Sequence, residues 1–121
     1  MRIGIRWRDL DMLGHLNQAV YHELLEEGRG ALFGSLGDHS FPFVLAHVAL
    51  DYKHEVRKDH GHVEVVSRVA RLGRTSVTIE QRIELPDGTV AASGGSVLVA
   101  WDMESRSARE LSDAERDALG G

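Results

Sequence analysis

The chain has 121 residues, of which 42% are hydrophobic and 27% charged, and its formal net charge at pH 7 is −5. These values are typical of one globular domain, and they disfavour a second core, a disordered chain and a basic nucleic-acid-binding surface. No apolar run approaches the roughly 20 residues that span a membrane, and the first residues lack an apolar signal-peptide core, so we expect a single cytoplasmic domain over residues 1–121.

The first elements are predicted to be a short strand and a polar loop. Ile3, Ile5 and Trp7 occupy alternate positions, which predicts a strand over residues 2–8. The segment 9–17 contains two Asp, one Gly and one Asn, and turn formers at this density end a strand. The loop therefore separates this strand from the next element.

A helical pattern begins after the loop, and Asn17 is its candidate N-cap. Apolar residues recur at helical spacing on one side: Val20, Leu24, Leu25, Ala31, Leu32 and Phe33. Glu26 and Glu27 fall mostly on the other side, either as a solvated face or with one of them as a catalytic base. Gly28 and Gly30 each cost about 1 kcal/mol relative to Ala inside a helix. Either the helix ends near them, or they let a strand approach closely.

Strands are predicted for most of the remaining chain, after a connection over residues 34–42. Alternating apolar and polar residues predict four long strands, over residues 43–56, 63–69, 77–85 and 89–101. The Pro-Asp-Gly sequence at 86–88 predicts a hairpin turn, because Pro presets φ and Gly accepts a positive φ. The Gly pair at 94–95 predicts a bulge or bend in the last strand.

The predicted layout is one long helix followed by an antiparallel sheet, with a short helix at the end. Ser112 and Glu115 form a capping-box pattern for that last helix. A single long helix cannot cover both faces of such a sheet, so apolar surface is left over. We therefore expect at least a dimer, in which another copy of the chain covers the remaining surface or the sheet edges.

The loop and the start of the long helix carry a motif. Its parts are WRDLDMLGHLN at 7–17, Ala-Val-Tyr at 19–21 and Glu-Glu-Gly-Arg at 26–29. This motif resembles the entry motif of the hot-dog-fold acyl-CoA thioesterases, in the branch typified by 4-hydroxybenzoyl-CoA thioesterase. Shorter matches follow in the same order and spacing as in that family, at 50–52, 56–57, 72–76 and 86–92. The resemblance therefore covers almost the whole chain.

The resemblance implies an α+β hot-dog fold, in which one long helix is wrapped by a five-stranded antiparallel sheet. It also implies an acyl-CoA substrate and a homodimer or homotetramer with the active site at the dimer interface. Two positions depart from the family pattern: Gln18 stands where many relatives repeat Asn, and Asp-His-Gly-His at 59–62 replaces the more usual Gly-Asp. The first departure bears on acyl-group preference and the second on coenzyme A contacts near that turn.

The resemblance assigns the catalytic carboxylate to Asp11, the second acid of the Asp-Leu-Asp sequence. Elementary chemistry agrees, because a thiol with a pKa of about 8.5 leaves as the thiolate without a strong general acid. One carboxylate, as base or as nucleophile, and one oxyanion site suffice. We expect the backbone N–H groups of Gln18 and Ala19, at the positive start of the helix, to form that oxyanion site. Asn17 either caps the helix or contacts the substrate, and His15 either holds the turn or takes part in catalysis.

Basic residues concentrate near the predicted turns of the sheet: Arg57, Lys58, Arg71 and Arg74. We expect Arg57, Lys58, Arg74 and Ser76 to contact coenzyme A, with the cations on its phosphate groups. The alternative is that these charges only solvate the ends of strands.

Other polar residues do not predict a second chemistry. Asp9 is expected to pair with Arg6 or Arg8 rather than to catalyse. His60 and His62 share one face of a strand but have no third ligand at a metal-binding spacing, and the chain has no cysteine. No phosphate-binding Gly-rich loop, dinucleotide fingerprint or nucleophile elbow is present, so we expect neither a metal nor a cofactor.

The sequence therefore predicts an acyl-CoA thioesterase that releases a free acid and coenzyme A. A thioester of acyl carrier protein is an alternative substrate. A non-catalytic hot-dog module that binds acyl-CoA as a sensor or scaffold is the alternative from another class, although such a module does not need a carboxylate beside the thioester. The sequence does not specify the acyl group.

Overall fold

The computed structural model describes residues 1–35 and 42–120. Its strands are β1 (Arg2–Gly4), β2 (Phe43–Tyr52), β3 (His62–Leu72), β4 (Ser76–Glu84), β5 (Val90–Asp102) and β6 (Ser107–Ala108). Its helices are α1 (Gln18–Ser35) and α2 (Asp113–Gly120), with single 3-10 turns at Trp7–Asp9 and Lys58–His60. None of the helices in the described residues is long and apolar enough to cross a membrane.

The strands form one antiparallel sheet in the order β1-β3-β4-β5-β2, and the two-residue strand β6 adds to β5. The register brings Ile79 of β4 and Val48 of β2 to either side of Ser96 on β5. The prediction of a single long helix and a five-stranded antiparallel sheet is confirmed, and β6 is the element that it lacked.

Helix α1 packs one side against the sheet. Val20, Tyr21, Leu24 and Leu25 are buried on this side, at the helical spacing seen in the sequence. They meet the buried side chains of the neighbouring strands in one core cluster, whose other members include Val63, Val65, Ile83, Leu85 and Ala92. Each fully buried aliphatic side chain of this size stabilises the fold by about 1.5–3 kcal/mol. This packing fixes the position of the helix start relative to the sheet.

The helix continues through both of its central glycines, so the alternative that it ends near them is wrong. At Gly28 an added Cβ atom would lie 2.6 Å from Val65 Cγ1, which confirms that a strand approaches closely there. At Gly30 an added Cβ would meet nothing within 4 Å, so close packing does not account for this second glycine.

The C-terminal helix covers the far end of the sheet. Leu111 and Leu119 are buried in a second core cluster with β4 and β5. The predicted capping box is confirmed, because Glu115 N–H donates to Ser112 Oγ at 3.1 Å and Ser112 N–H donates to a Glu115 carboxylate oxygen at 2.8 Å. Burial raises the pKa of Glu115, but the hydrogen bond from Arg109 has the larger effect and leaves that pKa below its ordinary value. The chain end is thereby attached to the sheet.

Two predictions about the strands are wrong. The first strand ends at Gly4, and Trp7 lies in a 3-10 turn with 79% of its surface exposed, because the Asp9 side chain closes that turn onto Arg6. The bulge predicted at the Gly pair 94–95 is absent, because the pair carries no register shift, whereas β2 is irregular between Leu45 and His47; the alternative of a bend stays a prediction. Gly94 instead allows close approach of β2, since a Cβ there would lie 1.9 Å from the carbonyl oxygen of Ala49.

Strand β2 forms one edge of the sheet and is the most exposed of the long strands. It pairs with β5 on one side and with no strand of the described residues on the other. It ends at Tyr52 rather than at residue 56, and the N–H groups of Lys53 and His54 then both donate to the Ala91 carbonyl. Most of the predicted connection over residues 34–42 lies outside the described residues.

Candidate active site

The Asp11 carboxylate closes the turn that precedes α1. Its Oδ1 atom accepts the N–H groups of Leu13 at 2.9 Å and His15 at 3.1 Å, and the Asp11 N–H donates to the His15 carbonyl at 2.8 Å. Gly14 adopts a φ of 78°, which favours glycine. The turn therefore fixes Asp11 through one oxygen and leaves Oδ2, in an exposed residue, without a hydrogen bond to the described residues.

The other acid of the motif, Asp9, is held quite differently. Its side chain is buried and accepts the Arg6 N–H at 2.8 Å and the Arg6 guanidinium at 2.8 Å. Burial by itself raises the pKa of Asp9, but the hydrogen bonds from Arg6 outweigh it and leave that pKa below its ordinary value. The prediction that Asp9 pairs with a neighbouring arginine is confirmed, and Arg6 is that partner.

The first backbone N–H groups of α1 follow directly on this turn. Asn17 caps the helix, since its Oδ1 accepts the Ala19 N–H at 3.0 Å and its carbonyl accepts the Val20 N–H at 2.9 Å. The Gln18 N–H has no partner among the described residues. Because unpaired N–H groups at a helix start carry partial positive charge, Gln18 is the donor that remains for an oxyanion, while that of Ala19 is already engaged.

His15 is held by a glutamate that the sequence pattern did not indicate. His15 Nε2 lies 2.8 Å from a carboxylate oxygen of Glu55, whose other oxygen accepts Arg57 Nη1 at 2.6 Å. The hydrogen bond from Arg57 lowers the pKa of Glu55. The backbones of His15 and Arg57 also form an antiparallel bridge. Both carboxylate oxygens of Glu55 are thus engaged, whereas Asp11 uses only Oδ1.

These groups surround a cavity of about 330 Å³. It is lined by Asp11, His15, Leu16, Gln18, Tyr21, Tyr52, Lys53, His54 and Glu55. The structure therefore brings together three of the predicted site residues, and it adds two tyrosines, two basic residues and Glu55. Tyr21 and Tyr52 lay within the motifs that carried the family resemblance, but nothing in the sequence distinguished Lys53, His54 or Glu55.

The predicted coenzyme A contacts do not form one cluster within a chain. Arg57 is bound to Glu55 and to Asp59, at 2.6 and 3.0 Å. Arg74 pairs with Glu110 at 2.8 Å, and Ser76 begins β4 at the other end of the sheet. The eleven residues of β3 separate the two ends, which is on the order of 30 Å at about 3.3 Å per residue. Their contact with coenzyme A stays a prediction, since Arg74 and Ser76 lie far from Arg57 within one chain.

Three residues that the sequence raised for other roles, His60, Glu26 and Glu27, lie away from Asp11 or serve a turn. Within residues 1–35 and 42–120, no three His, Asp or Glu side chains are grouped to hold a metal ion. His60 accepts the Arg57 N–H at its Nδ1 atom, 2.9 Å away, and so closes a turn. Glu26 and Glu27 are exposed on α1 and do not line the cavity that contains Asp11.

Asp11 and Gln18 therefore line the same cavity. A carboxylate can accept a proton from water or attack a carbonyl itself, and an N–H group at a helix start can bind the oxygen of that carbonyl as it becomes negative. Aromatic side chains from α1 and the end of β2 lie beside this pair. The arrangement suits attack on an acyl group.

Comparisons with known proteins agree with this chemistry. A family model described as the Thioesterase-like superfamily matches residues 5–119. The chain is 29% identical over 126 residues to the long-chain acyl-CoA thioesterase FadM of Escherichia coli, with 98% of this chain and 94% of that protein covered.

Solved structures of two thioesterases share the fold. One is a thioesterase from Thermus thermophilus complexed with coenzyme A and Zn, at a TM-score of 0.89 and 31% identity, covering 98% of this chain and 89% of that one. The other is described as a predicted thioesterase from Bacillus stearothermophilus, at a TM-score of 0.88 and 27% identity, covering 99% of this chain and 92% of that one. The likeness thus extends over nearly the whole chain.

Proposed function

The chain belongs to the thioesterase-like superfamily, and on that premise we propose that it hydrolyses an acyl-CoA thioester with Asp11 as the catalytic carboxylate. It is a thioester hydrolase, and its fold is the hot-dog fold that the motif predicted. The observation that carries the assignment of Asp11 is the free Oδ2 atom of a carboxylate fixed at the cavity wall through its other oxygen. The products are a free acid and coenzyme A.

Two routes from this carboxylate give the same products. As a base, Asp11 takes a proton from water while the water oxygen attacks the thioester carbon, and the C–S bond then breaks to release the thiolate. As a nucleophile, Asp11 attacks that carbon itself, releases the thiolate and leaves a mixed anhydride that water hydrolyses. Acid quenching with a radiolabelled acyl-CoA distinguishes them, because only the second route leaves labelled protein.

In either route the carbonyl oxygen gains negative charge beside the start of α1. We propose that the Gln18 N–H donates to it, since the Ala19 N–H is bonded to the Asn17 cap. Asn17 then acts on catalysis by holding the helix start, and His15 by holding the turn of Asp11 through its backbone. A thiolate with a conjugate-acid pKa of about 8.5 leaves without a general acid.

We further propose a homodimer whose partner subunit closes the cavity. On the loop that carries Asp11, the apolar side chains of Met12 and Leu13 are largely exposed. Because Arg74 and Ser76 lie far from Asp11 of the same chain, they can reach its coenzyme A only from the partner subunit. Lys53 and His54 are the basic side chains that this chain itself places at the cavity.

The decisive experiment measures thiol release from short, long and aryl acyl-CoA esters by the wild type, Asp11→Asn and Asp11→Ala. We expect both variants to lose about 10²–10⁴-fold in kcat. Asp117→Asn, at an exposed position on α2 away from the cavity, is the matched control and should retain wild-type turnover. Equal turnover in all four proteins would contradict the assignment of Asp11.

The same assay separates the remaining alternatives. Faster release from acyl carrier protein thioesters than from the matched coenzyme A esters would make the carrier protein the substrate. Binding of acyl-CoA without turnover of any ester would indicate a sensor or scaffold instead of an enzyme. Cell fractionation tests the cytoplasmic location expected from the sequence.

A further inference from the structure

The Tyr21 side chain is largely buried, and its hydroxyl has no hydrogen-bond partner in the described residues. Tyr21 is only 4% exposed, and no hydrogen bond joins its hydroxyl to residues 1–35 or 42–120. Among these residues, every side-chain nitrogen or oxygen that is fully covered has a hydrogen-bond partner. The hydroxyl is therefore not fully covered, and the free space beside Tyr21 is the cavity that it lines.

A hydroxyl in this position can meet whatever fills the cavity. When an acyl group displaces water from the cavity, the hydroxyl is left without a hydrogen bond unless the acyl group supplies an oxygen atom, and that loss costs free energy. Burial of Tyr21 raises the pKa of its hydroxyl, with Tyr52 contributing as well, so the group stays protonated and can donate. The side chain is thus suited to bind an oxygen atom inside the cavity.

The position of Tyr21 on α1 indicates which part of the substrate it meets. Gln18 and Tyr21 are three residues apart, so they lie on the same side of the helix about 4.5 Å apart along its axis. Both residues line the cavity, and Gln18 is exposed whereas Tyr21 is buried. Helical side chains lean toward the helix N-terminus, which brings the Tyr21 ring back toward the proposed carbonyl site.

Tyr52 lines the cavity next to Tyr21. Its ring meets that of Tyr21 edge-on, with the ring centres 4.9 Å apart and the planes at 86°. Tyr52 stands at the end of β2 and is 46% exposed, so its own hydroxyl has access to water. Contact with the Tyr52 ring holds the Tyr21 side chain in one orientation, and a specific hydrogen bond requires such a fixed orientation.

We propose that the Tyr21 hydroxyl selects acyl groups that carry an oxygen substituent, by hydrogen bonding to that oxygen while the thioester carbonyl lies at Gln18. This rests on the proposed thioesterase function. The substrate class is a hydroxyacyl or oxoacyl ester of coenzyme A, in preference to the matched unsubstituted ester. A site with a buried hydrogen-bonding group discriminates against the analogue that leaves the group unpaired.

The test uses pairs of coenzyme A esters that differ by one oxygen, namely butanoyl with 3-hydroxybutanoyl and phenylacetyl with 4-hydroxyphenylacetyl. The wild type and Tyr21→Phe are compared by kcat/KM on each ester. In at least one pair we expect the wild type to prefer the hydroxylated ester by about tenfold or more, and Tyr21→Phe to lose that preference, so that the ratio of its two kcat/KM values falls to about one.

Thermal unfolding and sedimentation supply readouts that a structural role would change. Because the hydroxyl has no partner in the described residues, the Tyr21→Phe variant should have a melting temperature at or above that of the wild type. In sedimentation it should keep the oligomeric state of the wild type. An equal loss of kcat/KM on both members of each pair, a lower melting temperature or a dissociated oligomer would overturn the proposal. If the wild type hydrolyses none of these or other acyl-CoA esters, the proposed function fails instead, which is a different outcome.

Discussion

His15 Nε2 lies 2.8 Å from a carboxylate oxygen of Glu55, and this contact joins the turn of Asp11 to the segment that follows β2. The two side chains are roughly 40 residues apart in sequence, and both line the cavity. His15 thus has two separate links: its backbone N–H holds Asp11, and its ring holds Glu55. Only the second link depends on the identity of the side chain.

This division predicts a mild effect of His15→Gln. The backbone N–H that donates to Asp11 Oδ1 is retained, and the amide of Gln can still reach Glu55. We expect kcat/KM to fall by less than about tenfold, whereas Asp11→Asn loses about 10²–10⁴-fold. Steady-state assays of the two variants on one acyl-CoA ester make the comparison. A loss in His15→Gln as large as that in Asp11→Asn would indicate that the imidazole itself takes part in the reaction.

The Arg6–Asp9 pair predicts a pH-dependent part of the stability. The pKa of Asp9 is lowered in the folded state, so its contribution is complete above the unfolded pKa of about 3.9 and is lost as pH falls through the folded pKa. Asp9→Asn should cost about 1–3 kcal/mol at neutral pH and remove that part of the acid dependence. Urea unfolding of the wild type and variant across acid pH measures both effects. Unchanged stability in Asp9→Asn, with Asp117→Asn as the control, would contradict this role.

The two central glycines of α1 predict opposite responses to Ala. At Gly28 the new Cβ would lie 2.6 Å from Cγ1 of Val65, whose side chain is buried. Overpacking of about 1–3 kcal/mol then exceeds the roughly 1 kcal/mol gained in helix propensity. Gly30→Ala has open space and should stabilise the protein by about 0.5–1 kcal/mol. Chemical denaturation of both variants tests this pair, and a stabilising Gly28→Ala would show that the strand moves away.

The fold was largely predictable because periodic burial determined its elements. The long helix and four long strands all follow from apolar spacing, and the capping box at Ser112 and the hairpin turn at 86–88 are local patterns that few residues specify. The predicted end of the first strand was wrong at Trp7. Alternation of only three apolar residues is too short a pattern to outweigh the Arg6–Asp9 turn, which follows the strand. The sequence did single out Gly94 as a residue with a special role. That role is the close approach of the β2 backbone, and sequence spacing alone does not reveal which strand lies beside Gly94.

The candidate site was predictable only where it is local. Asp11, His15 and Gln18 lie within a few residues of one another, so one motif brings them to one place. Glu55, Lys53 and Tyr52 reach the cavity because β2 ends beside the turn of Asp11, which depends on strand order. Arg57 and Arg74 likewise lie near opposite ends of β3, so the basic residues that the sequence grouped are apart within one chain.

The exposed edge of β2 predicts where two copies of the chain meet. In the described residues its outer side has no partner strand, and Val44 and Leu45 are 37% and 48% exposed. An exposed apolar edge strand pairs readily with another chain, whereas a Lys at an edge opposes such pairing. We expect Leu45→Lys to convert the dimer to a monomer in sedimentation velocity and to lower kcat/KM with it, because the proposed cavity is closed by the partner subunit. Ala70→Lys, at an exposed position of β3, should remain a dimer with wild-type activity. A wild type that is fully active as a monomer would show that the cavity is complete within one chain. A Leu45→Lys variant that stays dimeric would show that the two copies meet elsewhere.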